Sequence, residues 1–130
     1  MKFLCLIYAE SPVEPTSEAE LQTRFAAYTE FNDGLRKSGH YVGCNRLQPA
    51  DTAVTVRARN GSVMTTDGPF AETKEQLGGY FLIEARDRDE AIRIASGIPA
   101  CRSGCVEVRP VAEDPLTMQA LGLAEPSVAS

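Results

Sequence analysis

The sequence predicts a single domain of the α+β class. At 130 residues the chain suits one compact domain and is short for two. Short runs with the alternation of β-strands surround two segments with helical periodicity. Their order is strand, helix, strands with a hairpin, strand, helix, strand, which is the split βαβ pattern of ferredoxin-like folds.

The first predicted strand is the run KFLCLIY at residues 2–8. Its side chains form two apolar sets, with Leu4 and Leu6 on one face and Phe3, Cys5 and Ile7 on the other. A strand that is apolar on both faces must be covered on both faces.

The first helix is predicted between Ser17 and Gly39. Ser17 and Glu20 have the S-x-x-E spacing of a capping box, in which hydroxyl and carboxylate satisfy free amides at the start of a helix. Gly39 suits the left-handed stop that ends many helices. One apolar stripe recurs at three- and four-residue steps: Leu21, Phe25, Tyr28, Phe31 or Asn32, and Leu35.

The middle of the chain predicts further strands. A short strand is expected over about residues 41–47, and another at GGYFLIEA, residues 78–85. Between them Asn60-Gly61 separates two alternating runs, which is the strongest short-range signal for a β-hairpin.

A second helix and a final strand are predicted in the last part of the domain. Asp87 and Glu90 suit the helix start, and Gly97 its end. The predicted inner face of this helix consists of Ala91, Ile92, Ala95 and Ile98. In the strand GCVEVRPV, one face carries Val106 and Val108, and the other carries Cys105, Glu107 and Arg109.

This arrangement of elements leaves one sheet face without a cover. Two helices cover only one face of such a sheet. The other face of the FLCLIY and GYFLIEA strands would expose a large apolar patch, which soluble monomers avoid. We therefore expect a homodimer in which two sheets pack together, with a cleft between helix and sheet on each subunit.

Composition and charge argue against several classes of protein. The formal charge is −5 and there is no basic stripe, so direct binding to nucleic acid is not expected. The apolar start covers only residues 3–8, too few for a signal peptide or membrane span, so we expect a cytoplasmic protein without a membrane partner. Residues 1–111 form the predicted domain and residues 112–130 a C-terminal tail, with a short helix expected near residues 116–123.

Neither a metal nor a cofactor is expected from the motifs. The four cysteines lack the paired short spacings of zinc sites, and the single histidine, His40, is not close to them in sequence. In the cytoplasm the cysteines should be reduced. There is no glycine-rich phosphate loop. A redox role for Cys101 and Cys105, which flank Arg102, is a minor alternative.

The most informative stretch is TTDGPFAETKEQLGGYFLIE, residues 65–84. Read structurally, Asp67-Gly68-Pro69 favours a turn. Thr73 and Gln76 repeat the capping-box spacing and predict a single helical turn. Gly78 and Gly79 allow the backbone to approach another element closely before the strand begins.

A functional interpretation starts from the charged residues that the predicted turns and strand do not require: Asp67, Glu72, Lys74 and Glu75. They lie on a predicted connection of about a dozen residues between two strands, and long connections often carry function. A carboxylate beside an ammonium group can bind a polar ligand, or act in acid–base catalysis if burial shifts its pKa.

The stretch DGPFAETKEQLGGYFLIEA, with KFLCLIY before it and VEVRPV after it, resembles the DGPF branch of the YciI-like (YCII-related) domain family over residues 1–111. The resemblance implies a dimeric α+β barrel of ferredoxin-like subunits and no settled activity. Some members carry a histidine–aspartate pair in the cleft. The position of that histidine, counted back from the helix-ending Gly39, is occupied by Tyr28 in this sequence. A mechanism that uses the histidine is therefore not expected for this chain. The branch is associated with sigma-factor-type transcription regulators, which implies a regulatory role.

We predict that the protein binds a small polar molecule in the helix–sheet cleft, with Asp67, Glu72 and Lys74 as the first candidates. The further substrate-binding candidates are Tyr28, Phe70, Glu107 and Arg109, although a simple ion pair on one strand also accounts for the last two. One alternative is an enzyme with Asp67 or Glu72 as its catalytic acid or base. Another is a non-catalytic regulatory module that binds a protein partner.

Overall fold

The computed structural model of the chain describes residues 1–10 and 17–124. Its strands are β1 (Lys2–Ala9), β2 (Tyr41–Arg46), β3 (Val54–Arg59), β4 (Ser62–Asp67), β5 (Gln76–Glu84) and β6 (Cys105–Pro110). Its α-helices are α1 (Glu18–Ser38), α2 (Arg88–Ser96) and α3 (Pro115–Ala120). Short 3-10 turns occupy Ala50–Thr52 and Pro99–Arg102.

Four strands form one antiparallel sheet in the order β2-β5-β1-β6. Strands β1 and β5 lie at the centre of the sheet, and β2 and β6 are its edge strands. This is the ferredoxin-like arrangement, and it confirms the predicted α+β fold. Strands β3 and β4 form a separate two-stranded sheet, inserted between β2 and β5.

The hydrophobic core lies between the sheet and helices α1 and α2. Phe3, Phe81 and Ile83 are buried on the sheet, and Leu35 and Ala91 are buried on the helices. Burying each large apolar side chain contributes roughly 1.5–3 kcal/mol. The core cluster within the described residues includes no side chain from the opposite sheet face, which carries the half-buried Leu4, Leu6 and Leu82.

The predicted ends of both main helices are confirmed. The Ser17 hydroxyl accepts the Glu20 amide at 3.2 Å, and Gly39 ends α1 in the left-handed region at φ 80°. The Asp87 carboxylate accepts the Glu90 amide at 2.8 Å at the start of α2. Each cap satisfies a backbone group that the helix cannot satisfy itself.

The hairpin at Asn60-Gly61 is also confirmed. Asn60 and Gly61 have φ values of 51° and 76°, so both lie in the positive region that a type I′ turn requires. The turn joins β3 to β4, whose residues pair from Val54 opposite Asp67 to Arg59 opposite Ser62. We call residues Val54–Asp67 the β3–β4 arm.

The predicted inner face of α2 was wrong at one position. Ile92 is 45% exposed, and its place beside the core is taken by the half-buried Ile94. The stripe of α1 is likewise buried only in part, because Phe25 is 45% exposed whereas Leu35 is buried. Three- and four-residue steps fit more than one face of a helix, and the packing partners decide which one is buried.

The predicted helical turn at Thr73–Gln76 was wrong. Residues 71, 74 and 75 form bends, residues 72 and 73 have no regular structure, and Gln76 already belongs to β5. The Thr73 hydroxyl donates to the Glu75 carbonyl, and the Gln76 side-chain amide donates to the Thr73 carbonyl at 3.3 Å. Because Asp67 ends β4, the connection between the strands is residues 68–75, shorter than predicted, and Gly78 and Gly79 lie inside β5.

Beyond β6 the chain continues along the domain. The Lys2 amide donates to the Glu113 carboxylate at 3.0 Å, and Met118 of α3 is buried. The short helix predicted near residues 116–123 is therefore present, at Pro115–Ala120. None of the helices in the described part of the chain is long and apolar enough to cross a membrane.

Candidate functional site

A wide cleft opens where the N-terminal half of α1 faces the start of β5. Its volume is about 1870 Å³. The end of β2, the 3-10 turn at Ala50–Thr52 and the root of the β3–β4 arm at Asp67–Pro69 complete its walls. The cleft thus lies beside residues 68–75, the connection between β4 and β5 that we call the DGPF connection. This is where the helix–sheet cleft was predicted.

One part of the cleft is apolar and exposed. Phe25 of α1, Leu47 after β2 and Leu77 of β5 line it, with 45%, 42% and 38% of their surfaces exposed. Apolar side chains gathered in a concave site are typical of small-molecule pockets. The periodicity of α1 assigned Phe25 to the core, so sequence reasoning missed its role in the cleft.

Tyr28 lies deeper in the same cleft. Its ring stacks on the Phe81 ring with 6.4 Å between centroids and 5° between planes. Burial raises the pKa of the Tyr28 hydroxyl, while a backbone hydrogen bond at Ala100 and the charge of Arg24 act in the opposite direction. The hydroxyl therefore stays protonated at neutral pH and can donate or accept a hydrogen bond.

Two predicted carboxylates line the cleft. Asp67 stands at the end of β4 and Glu72 on the connection to β5, and both are exposed. Within residues 1–10 and 17–124, neither carboxylate takes part in a hydrogen bond or ion pair. As far as the described part of the chain is concerned, their oxygens can accept hydrogen bonds from a ligand.

Two arginines that sequence reasoning missed also line the cleft. Arg46 is the last residue of β2, where it pairs with Gly79 of β5, and its guanidinium lies 5.5 Å from the centre of the Phe25 ring. Arg24 lies one turn before Tyr28 on α1. Their separation from the DGPF stretch in sequence gave no signal that they would meet it.

Close backbone contact explains one glycine of the GG pair. A Cβ on Gly79 would lie 2.7 Å from the Asn45 carbonyl oxygen and 3.4 Å from the Arg46 Cα atom. A Cβ on Gly78 would have nothing within 4 Å. Only Gly79 therefore lets β2 and β5 approach closely at the floor of the cleft.

Lys74 and Phe70 do not line the cleft. The Lys74 ammonium pairs with the Glu10 carboxylate at 3.3 Å, with side chains 86% and 58% exposed. Such an exposed pair contributes little stability, and it ties the DGPF connection to the end of β1. Phe70 is 82% exposed, so within one chain it plugs neither the core nor the cleft.

Glu107 and Arg109 were wrong as cleft residues. They lie opposite Leu6 and Leu4 of β1, on the sheet face that is turned away from the helices. There the Arg109 guanidinium donates to the Glu107 carboxylate. This same-strand ion pair is the simpler of the two interpretations that the sequence left open.

The single histidine lies outside the cleft. The Nδ1 atom of His40 is 2.8 Å from the Glu84 carbonyl oxygen, at the opposite end of β5 from Gly79. Among the described residues, no group of three or more His, Cys, Asp or Glu side chains is arranged to hold a metal ion.

Two comparisons with known proteins found a match. The family model of the YCII-related domain matches residues 1–114. The chain is also 45% identical over 69 residues to an uncharacterised protein of Rhizobium meliloti (strain 1021). That match covers 52% of this chain and 56% of the relative, so it spans about half the length of each. On the extent of the family match, the chain belongs to the YCII-related domain family.

Proposed function

We propose that this protein binds a small molecule in the cleft between α1 and β5. The observation that carries the proposal is the lining itself. Asp67 and Glu72, two carboxylates without a hydrogen bond or ion pair to the described residues, share the cleft with exposed apolar side chains: Phe25, Leu47 and Leu77.

The lining favours a ligand with an apolar body and a hydrogen-bond-donating or cationic group. Ionised carboxylates only accept hydrogen bonds, so the group that meets Asp67 and Glu72 must donate. An ammonium group gains further from charge. The apolar body would contact Phe25 and Leu77, and the Tyr28 hydroxyl lies in the same cleft.

The protein acts, in this proposal, as a homodimer. The sheet face opposite the helices carries a strip of apolar side chains across β1 and β5: Leu4, Leu6, Tyr80 and Leu82. The Glu107–Arg109 pair borders this strip on β6, and Asn45, which donates to the Tyr80 hydroxyl at 2.7 Å, borders it on β2. An apolar centre with a polar rim is the usual anatomy of a subunit interface.

Three probes of similar size test the ligand class: benzylamine, phenol and benzoate. Each is titrated into ¹⁵N-labelled protein while amide resonances are followed by NMR. We expect benzylamine to shift amides of residues 67–79 and of α1 near Phe25 more strongly than phenol does, and benzoate least. Two arginines line the cleft, Arg24 and Arg46, but four acidic side chains outnumber them and repel an anion: Glu10, Asp51, Asp67 and Glu72.

Matched variants assign the effect to the cleft. Asp67→Asn and Glu72→Gln should weaken the benzylamine response, whereas Asp89→Asn, an exposed carboxylate on α2, should leave it unchanged. If none of the three probes moves cleft amides in a saturable way, the proposal of a small-molecule site fails. The outer surface would then be the place to seek a partner.

A further inference from the structure

Phe70 has the largest exposed fraction of any large apolar side chain in the described part of the chain, 82%. It belongs to the DGPF connection, and three residues close to it in sequence line the cleft: Gly68, Pro69 and Glu72. Its Cα atom is about 3.8 Å from the Cα atom of Pro69, because the peptide bond between them is trans. A phenyl ring therefore lies at the rim of the cleft and faces water.

The cleft as it stands would cover only part of a small ligand. Its apolar side chains keep 38–45% of their surfaces exposed: Phe25, Leu47 and Leu77. Its volume of about 1870 Å³ exceeds the roughly 300–1000 Å³ of ordinary ligand pockets, which bury about 70–90% of the ligand surface. An aromatic ligand that rests on this apolar surface keeps its other face in water unless a further group covers it.

The segment that carries the exposed ring is held at its two ends. The Gly68 amide donates to the Ala53 carbonyl at 2.7 Å, and the Thr55 hydroxyl donates to the Gly68 carbonyl at 2.9 Å. Toward β5, the next hydrogen bond is the one donated by the Thr73 hydroxyl. Between these points, residues 69–72 form no hydrogen bond or ion pair with the described residues. A movement of this segment therefore breaks no such contact and costs little free energy.

The other exposed apolar side chains near the cleft are less suited to cover it. Val54 and Val56 are 56% and 64% exposed, but they belong to β3, where they pair with Asp67 and Thr65 of β4. Neither valine lines the cleft. Moving them inward would displace a hydrogen-bonded strand pair, whereas moving Phe70 would not.

We propose that the Phe70 ring closes over the apolar body of a ligand bound in the cleft and thereby selects for ligands that have such a body. The ring alone fills only a small part of the cleft, so closure without a ligand gains few contacts. A ligand that rests on Phe25 and Leu77 supplies the missing apolar surface, and closure then removes the ring and the free face of the ligand from water together. An aromatic ligand gains further from ring pairing with Phe70.

The closed state is favoured by the ligand because only that state adds the contact with Phe70. The inference rests on the proposed function, since it needs a ligand in the cleft. It adds to that function a specificity-determining residue that lies outside the cleft in the unliganded chain.

The test uses tryptophan as a reporter, because the sequence contains none. Phe70→Trp places a single indole on the DGPF connection. Leu116→Trp places one on α3 at a position with nearly the same exposure, 79%, which does not line the cleft. Benzylamine is titrated into each full-length variant, and the emission maximum and the quenching by acrylamide are recorded. The amide shifts of residues 67–79 are followed in parallel.

We expect benzylamine to move the Phe70→Trp emission to shorter wavelength and to protect that indole from acrylamide, with the same midpoint as the cleft amides. The Leu116→Trp signal should not change. Phe70→Ala should bind benzylamine about tenfold more weakly than the wild type, and Leu116→Ala should bind it equally well. Because both side chains are exposed, both alanine variants should keep the amide spectrum of a folded protein.

The outcomes separate this inference from the proposed function. If cleft amides respond but the Phe70→Trp emission does not, or if Phe70→Ala binds as tightly as the wild type, the ligand site stands and the role of Phe70 is wrong. If no cleft amide responds in a saturable way, both fail. Equal changes in the two tryptophan variants would show a general effect of benzylamine and overturn the inference. So would an indole at position 70 that is protected without ligand, or protected only at high protein concentration, where a second copy of the chain covers it.

Discussion

Replacing Gly79 by alanine tests the close approach of β2 and β5 at the floor of the cleft. A Cβ at this position would lie 2.7 Å from the Asn45 carbonyl oxygen, and the atom behind it, the Arg46 Cα, is 3.4 Å away. Ordinary carbon–oxygen contacts are about 3.3 Å or longer. Because both neighbours are backbone atoms of the paired strand, no side chain can rotate away, and β2 itself must shift.

The cost follows from that shift. Overpacking in a well-packed site costs about 1–3 kcal/mol, and displacing β2 also strains its ladder, where each hydrogen bond contributes about 1 kcal/mol. We expect Gly79→Ala to lower the free energy of unfolding by about 2–3 kcal/mol. Gly78→Ala is the matched control, because its Cβ would meet nothing within 4 Å and its φ is not positive. It should stabilise the protein by about 0.4–1 kcal/mol, through the less flexible unfolded chain.

Urea unfolding followed by circular dichroism measures both variants. The midpoint should fall for Gly79→Ala and rise slightly for Gly78→Ala, with similar m-values, because the unfolded surface is the same. Equal effects for the two glycines would refute the argument. So would a larger loss at Gly78, because the close contact would then lie at the other residue.

Three further predictions concern the core, a carboxylate and a thiol. Ile98→Ala should cost about 2–5 kcal/mol in urea unfolding and Ile92→Ala less than about 0.5, since Ile98 is 1% exposed and Ile92 45%; similar losses would contradict the packing of α2. The pKa of Glu90 is lowered in the folded protein, first because its carboxylate accepts a hydrogen bond from the Arg86 amide. The ionised carboxylate therefore stabilises the fold fully above the ordinary pKa of 4.5, and this stabilisation is lost as the pH falls through the lower pKa of the folded state. The stability difference between wild type and Glu90→Gln should therefore be present at neutral pH and shrink in acid, and a difference that grows in acid would oppose this sign. Burial raises the pKa of the Cys5 thiol to about 11, so iodoacetamide should modify the exposed Cys101 well before Cys5 in the native protein, and mass spectrometry of peptides would reveal the reverse order.

Local chemistry was enough to predict the elements. The Ser17 and Asp87 caps, the Gly39 stop and the Asn60-Gly61 turn each depend on residues within a few positions of one another. The order of those elements then predicted the ferredoxin-like sheet, because few topologies accommodate it. At Thr73–Gln76 the residues are compatible with more than one local conformation. The sequence reasoning predicted a capped helical turn there, whereas the structure has bends that lead directly into β5.

The candidate site depended on contacts that local patterns do not contain. Asp67 and Glu72 were found from the signature stretch, but Phe25, Arg46 and Leu47 join them only because α1 and the end of β2 fold against the start of β5. Strand alternation gave Glu107 and Arg109 a shared face without saying which face the helices would cover.

The sequence by itself determined the main helices and strands, the caps of α1 and α2, the order of these elements and the family, since these follow from short-range backbone chemistry and a specific signature. The tertiary structure alone decided that Gly79 rather than Gly78 is the close contact, that Ile94 rather than Ile92 turns toward the core, and that Glu107 and Arg109 lie away from the cleft. Each of these depends on which surface meets which partner, and burial is a property of the assembled layers rather than of a residue and its neighbours in the chain.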